Sequence, residues 1–500
     1  MCRPLPSWKG TRCPRCRSLE TSPAQATPIH GALRGAFFLQ RLSPASPISS
    51  AHLSDTALTL QPTATTGQKE PSRPGFGEAL RFWFKLGWIS FGGPTGQIAI
   101  LHSELVERRR WIREDRFLHA LNFCMLLPGP EAQQLATYSG WLLHGIRGGL
   151  AAGLLFVLPS AGLLWLLSWV YVTQGSVPWV AAVFEGLKPA VLAIVAVAMV
   201  RLGRRTLRNV LLWCIAAAAF GGLMGVKLPF PVVLASAALA GWLGGRWWPR
   251  FFATETAPLP SVDEPDPTRA SLPSQGLPVR SRLFRVVGVG LLVWWLPVVL
   301  AGGALGWDHT VFRQGLFFSK AAMVTFGGAY AVLPYVAQNA VDHYGWLAAG
   351  QMMDGLGLAE TTPGPLVMVL QFVGFMGGWN HPGTLSPIVG GTLGALMTTW
   401  VTFAPCFLWI LAGAPYVEQL RRRSGLSHAL SGVTGAVVGV ILNLAVWFGW
   451  HVVVPEGGGL DLFVLTVAGI CALGLARWRW HVVWVVVGAG VAGWGRHLLG

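Results

Sequence analysis

Charge is what this sequence has least of. Only 12% of its 500 residues are Asp, Glu, Lys or Arg, where soluble domains carry roughly 25%. With 53% hydrophobic residues and a mean hydropathy of +0.51, the chain is excluded from the soluble globular class. Enzymatic signatures are missing as well. There is no GxxxxGK[ST] for nucleotide, no HExxH and no GxSxG. An intramembrane enzyme would need a nucleophile–base pair or a metal-ligand cluster, and neither is found, so no enzyme, metal or other cofactor is expected. Energy would then come from an ion gradient or from a substrate's own gradient. Cysteine is sparse and scattered, at Cys2, Cys13, Cys16, Cys124, Cys214, Cys406 and Cys471. Cys13-Pro14-Arg15-Cys16 is a CxxC without a second pair or nearby histidines, which is weak support for zinc. Acids are outnumbered, 21 to 37, for a net charge of +16. In a soluble protein that excess would suggest nucleic acid. Here it is spread over a tail and short loops, and it reads as topology instead.

What fills the chain is apolar. Stretches lie near 79–101, 117–142, 147–172, 179–200, 208–226, 231–248, 283–303, 316–336, 347–378, 386–414, 429–450, 461–476 and 481–498. Counted as one crossing each, they predict an all-α polytopic membrane protein of about 13 spans embedded in a lipid bilayer. Many of the 25 tryptophans stand at run ends (Trp247 and Trp248, Trp294 and Trp295, Trp478 and Trp480), as interfacial anchors do. Residues 1–75 are rich in Ser, Thr, Pro and Arg and read as a disordered tail or an over-long gene start. Domain boundaries follow: a first membrane repeat over 76–248, a polar linker over 249–282, a reversing helix over 283–303 and a second repeat over 304–500.

The repeat rests on coincident landmarks. Phe91-Gly92-Gly93-Pro94 and Pro128-Gly129-Pro130 recur as Phe326-Gly327-Gly328 and Pro363-Gly364-Pro365, all at an offset of 235 residues. Lys85 and Lys320 share that offset, as do Trp111 and Trp346. Further on the register slips to 246, pairing Pro159 with Pro405 and Gly186 with Gly432, which predicts an insertion of 11 around Trp379–Pro387. Seven crossings separate the two copies in this count, so the second is expected upside down, as in secondary transporters with inverted repeats. Starting with the tail inside, the loops at Arg201–Arg208, Arg421–Arg423 and Arg477–Arg479 fall inside and Glu456–Asp461 outside. Arg108, Arg109, Arg110, Arg113 and Arg116 disagree, unless the first segment dips into the membrane and returns.

Gly-Gly and Pro-Gly-Pro interrupt helices where interruption is costly, about 3 kcal/mol for proline alone. Unwound backbone at membrane depth survives only in protein or beside a water-filled cavity. Each break makes a helix N-terminus that offers amides and partial positive charge to an anion. The expected substrate-binding set is Lys85, Gly92, Gly93, Pro128, Gly129, Pro130, Lys320, Gly327, Gly328, Pro363, Gly364 and Pro365. For the two lysines, attraction of an anion and snorkelling to the interface stand as alternatives. Proton-coupling candidates are Glu360, Glu131 and Asp354; Glu131 also suits helix capping, and Glu360 has no counterpart in the first copy, where Met125 stands. Glu185 and Lys188, spaced i, i+3, are expected to pair locally. His119 and His144 receive no role.

The sequence Phe84-Lys85-Leu86-Gly87 leading into Phe91-Gly92-Gly93-Pro94, then Leu127-Pro128-Gly129-Pro130, with the copy Phe326-Gly327-Gly328 and Thr362-Pro363-Gly364-Pro365, resembles the chromate ion transporter family in its long, two-half form. The likeness covers about 76–500. It implies a multi-pass carrier of the inner membrane that exports chromate, draws on the proton gradient and confers resistance, with homologous halves of opposite orientation. The second copy departs at Ala329, where the first has Pro94. Helix ends and lysines suit a tetrahedral dianion, and would suit sulfate or another oxyanion almost as well; an anion channel is a further alternative. A homo-oligomer is compatible with the sequence, and no nucleic-acid partner is expected.

Overall fold

Two helices too short to cross a bilayer open each half. The computed structural model describes residues 74–91, 93–175, 177–247, 279–414, 424–454 and 460–499. The tail, most of the central linker, Gly92 and Arg421–Arg423 lie outside the described residues. Helix α1 (Phe76–Ile89) has 14 residues, and α2 (Gly93–His102) has 10 before it widens into a π-turn at Ser103–Arg108. At 1.5 Å per residue α1 is about 21 Å long, short of the ~30 Å hydrocarbon core. Placed in line, Phe82 to Arg108 would span about 39 Å, beyond the ~11 Å reach of the next three residues. Yet the rings of Phe82 and Trp111 are 5.0 Å apart, and the Arg109 guanidinium lies 4.7 Å from the Phe82 centroid and 3.6 Å from Glu78. The chain therefore folds back between Ile89 and Gly93. It forms a hairpin.

A second hairpin follows. Helix α3 (Glu114–Cys124) turns through Met125–Pro130 into α4 (Glu131–Gln174). The long α4 is itself folded at His144–Gly145, where Gly145 takes φ 64°. Its limbs, α4a (131–143) and α4b (146–174), run against each other so closely that a Cβ on Gly140 would meet the Gly148 carbonyl at 2.4 Å. At the hairpin feet His144 Nε2 lies 3.0 Å from the Pro74 carbonyl, so the second hairpin ends beside the start of the first.

After α5 (Pro178–Thr206), α6 (Val210–Met224), α7 (Phe230–Trp247) and α8 (Val279–Leu305), the plan repeats. Helices α9 (Thr310–Met323) and α10 (Ala329–Gln338), a π-turn at Asn339–His343 and α11 (Ala349–Thr361) lead through a 3₁₀ turn at Leu366–Met368 into α12 (Val369–Asn380). Phe317 and Trp346 rings approach to 5.6 Å, and Asn380 Nδ2 donates to the Trp346 carbonyl at 2.9 Å, so both segments again fold back. Detail survives in the copy: the π-turns close with Trp111 N to Leu105 O at 2.9 Å and Trp346 N to Ala340 O at 2.8 Å. The expected insertion is visible as well. Where α4 turns in His144–Gly145, the second half spends His381–Ser386 before α13 (Pro387–Gly413).

The outer helices exchange partners. Helix α14 (Ser424–Val453) packs on α6 and α7, while α5 packs on α15 (Leu462–Ala476) and α16 (Val482–Leu499). Glycine permits both approaches: a Cβ on Gly186 would stand 2.2 Å from the Ala489 carbonyl, and one on Gly432 2.3 Å from that of Ala237. Small residues at such seams let helices pack where lipid supplies no hydrophobic drive.

Thirteen apolar stretches do not become thirteen long spans. Among the described residues six helices are long and apolar enough to cross a membrane, and Val210–Met224, Leu366–Asn380 and Leu462–Ala476 are shorter apolar helices. The stretches at 79–101, 117–142, 316–336 and 347–378 are instead the hairpins, because glycine and proline at their centres favour a reversal over a continuous helix. The molecule is an all-α multi-pass membrane protein, with no strand among the described residues.

Candidate functional site

The hairpin tips of the two halves meet, and they meet reciprocally. The amide of Gly129 donates to the Thr325 carbonyl at 2.7 Å, and the amide of Gly364 to the Ser90 carbonyl at 2.8 Å. Ser90 and Thr325 are repeat equivalents, as are Gly129 and Gly364. Each carbonyl is presented the same way, by a hydroxyl that bonds back one turn: Ser90 Oγ to Leu86 O and Thr325 Oγ1 to Ala321 O, both at 2.6 Å. Gln97 adds an unsymmetrical clasp, its Nε2 donating to Gly364 O at 2.5 Å and to Ser90 O at 3.3 Å. Val332 stands at the equivalent place and offers no such bond.

The two kinds of break differ in their room. Gly129 and Gly364 have φ of +126° and +106°, and both are packed solid. A Cβ on Gly129 would lie 2.6 Å from Cys406 Sγ, and one on Gly364 2.5 Å from Ser160 Cβ. Ser160 and Cys406 each follow the repeated proline and reach across to the other half's tip. Pro128, Pro130, Pro363 and Pro365 frame these glycines, whose amides are already used. Gly93 and Gly328 contrast with them. They take φ of +68° and +96°, and nothing lies within 4 Å of a Cβ built on either. Gly327 is nearly as open, with Val437 3.9 Å away. Open space at the tips thus lies at the N-termini of α2 and α10. Gly92 lies outside the described residues.

Lys85 and Lys320 are exposed and sit one turn before their breaks, at the tip end of α1 and α9. Glu131 is the first residue of α4, partly exposed beside Pro130, whose position offers the helix no side-chain cap. Glu360 is 9% exposed in the last turn of α11 and accepts a 2.5 Å hydrogen bond from the Tyr330 hydroxyl. Asp354, also buried, accepts from the Tyr171 hydroxyl at 2.9 Å through Oδ2, while its Oδ1 is buried without a partner. Glu185 and Lys188 pair at 2.5 Å, as their spacing predicts.

The structure brings the four breaks and Glu360 to one junction; Asp354 lies two turns further along α11. The sequence reading missed Ser90, Thr325, Gln97, Tyr330 and Tyr171. Ser90 and Thr325 carried a usable signal, the same offset of 235. The tyrosines carried only rarity, two of six in the chain. No group of three or more His, Cys, Asp or Glu is placed to hold a metal among the described residues.

A sequence profile described as chromate transporter matches residues 77–242 and 312–494, one stretch in each half. The chain belongs to the chromate transporter family. It is similar to a chromate transport protein of Pseudomonas aeruginosa, 30% identical over 457 residues that cover 86% of this chain and 95% of that one. One of Cupriavidus metallidurans is 28% identical over 375 residues, covering 74% and 81%. A probable chromate transport protein of Synechococcus elongatus is 29% identical over 374 residues, covering 74% and 84%. No solved structure matches the chain.

Proposed function

We propose that this protein is a secondary transporter that exports chromate across the inner membrane, coupled to the proton gradient, and so confers chromate resistance. The observation that carries this reading is the junction where four interrupted helices meet. Two of its helix N-termini open onto unfilled space at Gly93 and Gly328. We place the dianion there, held by the free amides of α2 and α10 with Gly92 and Gly327, and attracted by Lys85 and Lys320. The Pro-Gly-Pro segments hold the two halves in register. Glu360 is the first choice for the coupling proton, with Asp354 and Glu131 behind it.

An inverted arrangement accounts for tips that meet end to end. If the hairpins do not cross, then α4b, α5, α6, α7 and α8 make five passes between the halves, an odd number that turns the second copy over. The total becomes nine. The Arg108–Arg116 loop then falls on the tail side, with Arg201–Arg208 and the central linker, so that every arginine-rich loop lies inside. Residues 338–348, their counterpart, carry no Lys or Arg.

Uptake of radiolabelled chromate into inverted vesicles tests the function. Accumulation should follow the gradient and stop when it is collapsed. Flux that persists unchanged points to a channel. Undiminished uptake under excess sulfate assigns chromate itself, and competition assigns the wider oxyanion class.

A further inference from the structure

Tyr330 belongs to two groups of atoms at once. It is the second residue of α10, so its backbone amide is among the first N–H groups that have no acceptor within the helix. Ala331 N already bonds to Gly328 O, and no side chain caps this end. Its hydroxyl meanwhile donates to Glu360 Oε1, across the hairpin in the final turn of α11. The first half has nothing like this pair, since Thr95 and Met125 occupy the equivalent places.

We propose that Tyr330 ties the protonation of Glu360 to anion loading at the N-terminus of α10, so that proton and dianion bind together. This rests on the chromate-carrier reading above and fixes the sign of its coupling: a proton leaves with each dianion, so the net negative charge lets the inside-negative potential drive export while the pH difference opposes it. While Glu360 is ionised, its negative charge stands one side chain away from the place where an N-terminus invites a dianion. Like charges in a dry setting oppose each other strongly. A proton on Glu360 removes the opposition and reverses the hydrogen bond. The carboxyl O–H then donates to the Tyr330 oxygen, and the tyrosine's own hydrogen is free to turn toward an incoming oxyanion. One proton enters on Glu360 and none leaves Tyr330. Linkage makes the effect mutual: the proton raises anion affinity and the anion raises proton affinity by the same factor.

The surroundings leave this pair largely to itself. The guanidinium of Arg201, on α5, is engaged with the Leu475 carbonyl at 2.7 Å. Among the other helices packed on α11, α12 has no ionisable residue, and α14 and α16 carry theirs (His428, His451, Arg496, His497) near their ends. Tyr171 of α4b and Glu185 and Lys188 of α5 act on Asp354 instead.

Chromate added to the purified protein in weakly buffered detergent, at a mildly alkaline pH where free chromate is the dianion, gives a direct test. Wild type should take up protons as it binds, and its affinity should fall by up to about tenfold per pH unit, the limit for one linked proton. Glu360→Gln, which mimics the protonated carboxyl and can still meet Tyr330, should bind tightly without pH dependence or proton uptake. Tyr330→Phe should bind with most of the proton uptake lost. Proton release by wild type would reverse the sign and overturn this proposal, leaving a proton-coupled carrier standing. Binding with no proton change in wild type would overturn both readings. Unaltered proton uptake in Glu360→Gln or Tyr330→Phe would overturn this one alone.

Discussion

Single glycines decide whether a break is a joint or an opening, and substitution should separate the two. At Gly364 an added Cβ meets Ser160 Cβ at 2.5 Å on a backbone with φ +106°. Gly364→Ala therefore combines overpacking, typically 1–3 kcal/mol, with about 1–2 kcal/mol for the left-handed conformation. A lowered melting temperature and poor recovery in detergent are expected. Pairing it with Ser160→Gly should restore part of the loss by clearing the contact. At Gly93 only the conformational cost applies, because nothing stands within 4 Å. Gly93→Ala should lose less stability than Gly364→Ala and yet lose transport, with the new methyl standing where the ion would sit. Equal stability losses at the two sites, read by thermal inactivation, would contradict the distinction.

The lysines belong to the same scale. Lys85 lies one turn from the end of α1, at the tip of a hairpin rather than at its foot. Snorkelling to the near interface becomes harder from there. Lys85→Met should weaken chromate affinity about tenfold if the charge contributes 1.4 kcal/mol, and Lys85→Arg should recover part of it, since the charge persists in a differently shaped group. Unchanged affinity in Lys85→Met at normal expression would leave the helix ends to attract the ion without it.

At the scale of elements, the sequence made the breaks readable because glycine and proline recur at a fixed offset where an uninterrupted helix would be cheapest. It did not show what the breaks do to direction. An apolar run reads alike whether it crosses or turns back, and only the misplaced Arg108–Arg116 charges hinted at a return. Ser90 and Thr325 obeyed the same offset, but hydroxyl residues draw no notice until their carbonyls are seen to receive Gly364 and Gly129. The Tyr330–Glu360 pair was invisible because it breaks the symmetry that made everything else legible. The exchange of outer helices was hidden for a different reason. The register slips again between Gly432 and α15, so that α6 and α7 match α15 and α16 at 252, and featureless apolar helices hold no landmark for it. Gly432 still marks that seam. Gly432→Leu should force α14 away from Ala237 and Gly241 of α7, which stand 2.3 and 2.9 Å from its missing Cβ. The expected outcome is loss of several degrees in thermal stability, whereas Gly469→Leu, with open space around it, should change little.

For the whole molecule, the reciprocal bonds between tips carry a topological consequence. In the inverted arrangement proposed above, hairpins whose feet lie together and whose tips meet those of the other half enter the junction from opposing directions, with the feet of the first pair on one surface of the bilayer and the feet of the second on the other. Three single cysteines, placed in a background cleared of the natural ones, test this with a membrane-impermeant thiol reagent: Arg110→Cys at the foot of the first hairpin, Arg208→Cys between α5 and α6, and Asp342→Cys at the foot of the third hairpin. Thirteen separate crossings would put positions 110 and 208 on opposite surfaces, since α1–α2 would then pass through. Folded-back hairpins put both on the same surface, because after residue 110 only α4b and α5 cross before 208 is reached. Position 342 should label from the other side, three further passes along. Labelling of 110 and 208 from the cytoplasmic face and of 342 from outside is the expected pattern. If 342 labels with 110, the halves are parallel and the meeting of their tips needs a different explanation. If 208 labels with 342 against 110, the first hairpin crosses the membrane after all.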